Sequence, residues 1–193
     1  MKKIMFNDRY GLTQAVIEGR KTMAMMLINI KSTSDVQVRI FAGYVQIIGR
    51  SGDVCAEKKL SYKVGEVVAV AQRYQDIFDY SNCVNPYAWE DDDKPSGWTN
   101  KMLTKAELMP HQIRITGIKC ERLQDISEED CIKEGILGDV EYDKYEVYGL
   151  FGNSDDGFDT PREAFASLID KVSGRGTWKR NPWVVAYEFE LVK

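Results

Sequence analysis

The sequence predicts an α+β domain, on three observations. Residues 23–30 and 67–71 are apolar runs with little polar alternation, which is the pattern of buried strands. Residues 183–191 alternate, with Trp183, Val185, Tyr187, Phe189 and Leu191 on one side and Glu188 and Glu190 on the other, which predicts a half-buried strand. Two helices carry their own boundaries: Ser127 with Asp130 opens one that Gly135 closes, and Thr160, Pro161 and Glu163 open another that Gly174 closes.

Taken in order, Leu12, Ala15, Val16 and Glu18 have helical spacing, and Gly19 sits where a helix stop favours positive φ. Arg20, Lys21 and Thr22 then deliver two cations and a hydroxyl to a corner before the apolar run of 23–30, which predicts an interior strand. Such a corner suits phosphate or carbonyl oxygens; the alternative is a solvated turn whose cations complement a helix C-terminus. Ser32 to Asp35 break the pattern, residues 36–48 hold β-rich pieces divided at Gly43, and 49–53 is a turn, so a hairpin is expected.

Residues 74–100 are aromatic and polar without a period and include an acidic run at 90–93. That composition predicts a long insertion, with Tyr80, Tyr87, Trp89 and Trp98 as a lid or as pins to the body. Residues 101–107 fit strand or helix equally, whereas 112–124 are β-prone around Ile113, Ile115, Ile118 and Leu123. Glu134 falls in the last turn of the first capped helix, where the helix dipole disfavours a carboxylate, a local misfit that points to another use. Residues 137–159 are acidic and irregular, a second insertion. In the second capped helix Ala164, Phe165, Leu168, Ile169 and Val172 form the apolar face.

With 193 residues, 44% of them hydrophobic and 29% charged, the chain has the size and composition of one globular domain over 1–193. Its net charge of -4 argues against non-specific coating of duplex nucleic acid but leaves room for a local basic patch. Cys55, Cys83, Cys120 and Cys131 have no zinc-ligand spacing with each other or with His111, so neither a metal nor a cofactor is expected. They are expected to be reduced, mostly buried thiols of a cytoplasmic protein. Residues 1–7 lack the apolar stretch of a signal peptide, and no run approaches a membrane span.

Walker, GxSxG, dinucleotide and HExxH motifs are absent. In their place Lys171, Arg175, Trp178, Lys179, Arg180 and Trp183 interleave cations with indoles, a mixture that grips single-stranded RNA through stacking and phosphate contacts. The alternative is that both indoles belong to the core and the cations only solubilise.

With the Gly19–Thr22 turn, the turn of Gly65, Glu66 and Val67, the Glu134, Gly135 pair and the strand from Trp183 in place, the whole chain resembles the ASCH domain family. The stretches 97–107 and 181–189 look like its phage- and prophage-associated branch. The resemblance implies a PUA-like β-barrel with flanking helices, with insertions at about 74–111 and 137–159 outside the minimal domain. It also implies recognition of RNA or a modified nucleoside in a cleft lined by Arg20, Lys21, Thr22 and Glu134. One branch of the family hydrolyses the acyl amide of N4-acetylcytidine with a Lys, a Thr three residues later and a Glu from a helix end. Lys21 and Glu134 match two of those positions. Ala24 stands where the nucleophilic threonine would be, Met26 stands where the family often has Arg, and Thr22 lies about 7 Å of strand away from position 24. A binding module is therefore the expectation, with a small amidohydrolase using Lys21, Glu134 and Thr22 as the alternative.

Overall fold

The computed structural model describes residues 1–28, 36–78, 94, 96–139, 143–148 and 157–192. It is a mixed α+β structure. A five-stranded sheet is built from β1 (Lys3–Ile4), β2 (Met23–Leu27), β6 (Val67–Val70), β7 (Gln112–Arg122) and β10 (Trp183–Leu191) in the spatial order β1-β6-β7-β10-β2. Only the β1–β6 pair is parallel. A three-stranded antiparallel meander of β3 (Gln37–Phe41), β4 (Tyr44–Ile48) and β5 (Val54–Lys59) packs its inner residues Val38, Ile40 and Val45 into the same core. Among the described residues the strand pairings leave these two sheets separate, so they do not close a barrel.

The helices follow their signals. Ser127 Oγ accepts from the Asp130 N–H at 3.1 Å at the start of α3 (Glu128–Lys133), and Gly135 leaves the helix at φ 101°. Thr160 Oγ1 likewise caps the long helix (Pro161–Ser173) by accepting from the Glu163 N–H. In chain order that helix is α4, after α1 (Leu12–Ile17), a single turn α2 (Tyr74–Ile77) and α3; α5 (Thr177–Arg180) follows it. The hairpin expected around residues 36–53 turns through Ala42 at φ 49° and Gly43 at φ 83°, the backbone of a two-residue turn matched to strand twist.

Three expectations need correction. The first concerns β2, which among the described residues lies at the edge of its sheet and not in its interior, although Met23 and Ala24 are buried. Its apolar run reports cover on both faces, which says nothing about hydrogen-bonding neighbours on both sides. The predicted continuation past Ile28 lies outside the described residues, as do Ser32 to Asp35. Next, β10 is not half-buried over most of its length: Val184 and Ala186 are as fully enclosed as Tyr187, because β10 lies between β7 and β2 with both faces covered. Finally, of the three described cysteines only Cys131 is buried; Cys120 is half-buried and Cys55 is exposed on β5. Cys83 lies outside the described residues.

Residues 101–107 form turns and a short 3-10 turn at Ala106–Leu108, neither strand nor helix. Trp98 packs on Tyr74 and Phe78 with ring centroids 5.7–6.0 Å apart, contacts internal to the first insertion, while Lys3 Nζ ties its later part to the body by donating to the Thr104 carbonyl at 2.8 Å. Tyr80, Tyr87, Trp89 and the acidic run lie outside the described residues. The second insertion contributes a small hairpin of β8 (Leu137–Asp139) and β9 (Lys144–Glu146).

Tyr62 connects this architecture to a measurable pH response. Its hydroxyl donates to the Lys3 carbonyl at 3.1 Å, and its ring stands edge-on to Tyr187 at 5.3 Å. Burial, reinforced by the neighbouring Tyr187 and Glu66, pushes the phenol from 10.0 to about 12. The folded protein therefore keeps a proton that the unfolded chain loses, so this contribution to stability is full below pH 10 and disappears as pH rises toward 12. Denaturant midpoints across that window should fall more steeply for the native chain than for Tyr62→Phe. Parallel curves would show the phenol to be solvated.

Candidate functional site

Lys21 and Glu134, 113 residues apart in sequence, meet in the interior. Lys21 is 2% exposed and Glu134 5%. The Gly19 turn, at φ 73°, ends α1 and places Lys21 just ahead of Thr22 and β2, while the end of α3 places Glu134 alongside the open edge of that strand. Lys21 Nζ donates to the Glu134 carbonyl at 2.7 Å and also to its Oε2. Glu134 Oε1 accepts from the Met25 N–H at 2.6 Å, satisfying an edge amide of β2 that points away from β10. A carboxylate disfavoured at a helix end is thus used to cap a strand edge and to balance a buried ammonium.

Burial pulls the Lys21 amine below the usual lysine range, and the Glu134 charge partly restores it. Two of its three N–H donors go to Glu134, and the Phe6 ring lies 5.7 Å from Nζ. The pair lines a cavity of about 150 Å³, with Asn7 and Ser173 as the other polar residues of its wall. Phe6, Met25, Met26, Phe165 and Leu168 make much of the remaining wall, and Ala24 also faces it. α4 closes one side of this space because its apolar stripe turns inward.

The other residues expected in the cleft lie elsewhere. Arg20 is exposed and its guanidinium pairs with Glu18, with Nε at 2.8 Å from Oε2. Thr22 is half-buried and is absent from the cavity wall. Its backbone bridges two elements, donating to the Lys133 carbonyl at 2.8 Å and accepting from the Phe189 N–H at 2.9 Å. The corner thus delivers one cation inward, while the Arg20 side chain is exposed and the Thr22 side chain half-buried.

The segment from Lys171 to Trp183 divides in the same way. Lys171, Arg175, Lys179 and Arg180 are exposed. Trp178 stands edge-on to Phe165 at 6.2 Å with the Arg162 guanidinium 5.4 Å from its ring centroid, and Arg122 lies 4.7 Å from the Trp183 ring. Both indoles pack against the core. Asp170 secures the turn from α4 into α5 by accepting from the Gly176 and Trp178 N–H groups at 2.9 and 2.8 Å. These backbone donors hold its carboxyl below the usual range. The four cations are thus exposed, and both indoles are half-buried against the core.

Sequence reasoning missed Phe6, Met25 and the inward course of α4 as parts of the cavity. The apolar stripe of α4 was visible, but the partner it would enclose is not a local property. Among the described residues no group of His, Cys, Asp and Glu is arranged to hold a metal, and no helix is long and apolar enough to cross a membrane.

No family model matches the chain, and no curated protein matches it. The chain is similar to a solved structure, protein EF3133 from Enterococcus faecalis V583, described with the family model DUF984. The identity is 14% and the TM-score 0.42, over 100% of this chain and 76% of that one.

Proposed function

We propose that the chain is a PUA-like protein of the ASCH type, from its phage-associated branch, that binds RNA or a modified nucleoside through the cavity beside Lys21 and Glu134. The observation that carries this reading is the buried ion pair in the wall of a mainly apolar cavity, whose other polar residues are Asn7 and Ser173. A nucleobase is an apolar plate with polar edges, and this cavity offers Met and Phe side chains to the plate and an ammonium N–H to a carbonyl edge. At about 150 Å³ the space is smaller than most small-molecule pockets, so it takes a base or an acyl substituent while sugar and phosphate stay outside.

Binding is favoured over amide hydrolysis by the wall itself. Ala24 offers no nucleophile where a hydroxyl would be required, and Thr22 does not face the cavity. Both Glu134 carboxylate oxygens are already engaged, one by Lys21 and one by the Met25 amide, which leaves the carboxylate poorly placed to shuttle protons.

The test is titration of cytidine and N4-acetylcytidine against the native protein and Ala24→Leu, which places a larger side chain in the cavity, with circular dichroism to check that the variant folds. Saturable binding lost in folded Ala24→Leu is the expected result; absence of saturable binding to either nucleoside refutes the reading. In the same samples the native chain should release no cytidine from N4-acetylcytidine. Ala24→Thr should gain a slow release that Lys21→Ala removes. Turnover by the native chain that depends on Lys21 would transfer the assignment to the amidohydrolase.

A further inference from the structure

The meander β3–β4–β5 presents a solvent face that the cavity does not explain. Burial alternates along β3, so Gln37, Arg39 and Phe41 face outward while Val38 and Ile40 pack against the core. The register sets Tyr44 opposite Phe41 and Lys59, and Gln46 opposite Arg39 and Glu57. Phe41 is 58% exposed and Tyr44 40% exposed. Directly paired residues across two strands lie close enough for their side chains to form one surface. Beside them Gln46 holds a fixed ladder, accepting from Arg39 Nε at 2.8 Å and donating to Glu57 Oε1 at 2.6 Å, and the Arg39 guanidinium sits 5.8 Å from the Phe41 ring centroid.

We propose that this outer sheet face, centred on Phe41 and Tyr44 and flanked by Arg39 and Lys59, is a stacking platform for single-stranded nucleic acid. Exposed aromatic rings on a rigid sheet accept bases of any sequence on their faces, and neighbouring cations follow the phosphates. The charge is right for that occupant. On this face the register places Arg39 and Lys59 against Glu57, a positive excess in a chain of net charge -4. A protein partner fits less well, because two rings interrupted by charged side chains fall short of the roughly 800 Å² per partner of a stable interface. The platform goes beyond the cavity reading and does not depend on it: the cavity takes one base or substituent, whereas the sheet holds unpaired strand.

The experiment measures fluorescence anisotropy of a labelled single-stranded uridine-rich RNA against the full chain at low and moderate salt. Both rings are exposed, so Phe41→Ala with Tyr44→Ala should fold normally, which circular dichroism checks. That double variant should bind at least about tenfold more weakly, since each base stacked on an aromatic contributes about 5–150-fold. Lys59→Ala should flatten the salt dependence by about 0.7 in the logarithmic slope, the value for one phosphate contact on a single strand. Ala24→Leu should leave this binding intact, which separates failure of the platform from failure of the cavity reading. Three results overturn the platform: no RNA binding at low salt, unchanged affinity in the double variant, or a native dimer that the double variant dissociates. Photo-crosslinks that map to Lys179 and Arg180 with none at Phe41 or Tyr44 would also overturn it.

Discussion

Glu134→Ala is expected to destabilise the protein by about 3–5 kcal/mol, the usual cost of leaving one partner of a buried ion pair alone. The change strands the Lys21 ammonium at a site 2% exposed and also leaves the Met25 N–H without its acceptor. Lys21→Met should cost less, because the remaining carboxylate keeps the Met25 amide and can take up a proton. Combining Lys21→Met with Glu134→Gln should recover most of the loss, since the amide oxygen still accepts from Met25 and no buried charge remains. Urea midpoints of the four proteins decide this. A loss under about 1 kcal/mol for Glu134→Ala would mean that water reaches the pair and the site is not the enclosed one described.

Phe165→Ala should be comparably severe, at about 3–5 kcal/mol. The ring is 1% exposed, stands edge-on to Trp178, and separates the cavity from the interior of α4's packing surface. Removing it lets the existing cavity grow inward, and Phe165→Leu, which refills part of the volume, should lose less. The two variants differ in a second readout. A cavity enlarged by Phe165→Ala should accept bulkier N4-acyl cytidines than the native chain does, measured in the presence of enough osmolyte to keep the variant folded. If selectivity among acyl lengths stays unchanged, α4 does not wall the ligand.

Much of the secondary structure was legible because its signals are local. Ser127 and Thr160 announce helices through a side chain that bonds three residues away, and Trp183 to Leu191 announces a strand through its own alternation. What was not legible is set by neighbours remote in sequence. Nothing in residues 23–27 says that their outer edge meets Glu134, and nothing near Trp178 says that Phe165 and Arg162 will occupy its ring. The Lys21 and Glu134 pairing was legible only through the order of short motifs, and Arg20 and Thr22 looked equivalent to Lys21 because a turn of three polar residues does not state which one points inward. Phe41 and Tyr44 were hidden for another reason: an aromatic beside a two-residue turn is as compatible with a core as with a surface until the register is known.

The place of β10 in the sheet has a consequence for synthesis on the ribosome. Met23 in β2 pairs with Glu188, and Val67 reaches the same sheet through β7, so β10, which lies between β7 and β2, is translated after both of its neighbours. Until it emerges, β2 has no hydrogen-bonding neighbour on its inner side, and an apolar edge waits exposed on the nascent chain. Such long-range pairing slows folding and makes the yield of native protein sensitive to chaperone supply and to translation rate over the stretch that precedes β10.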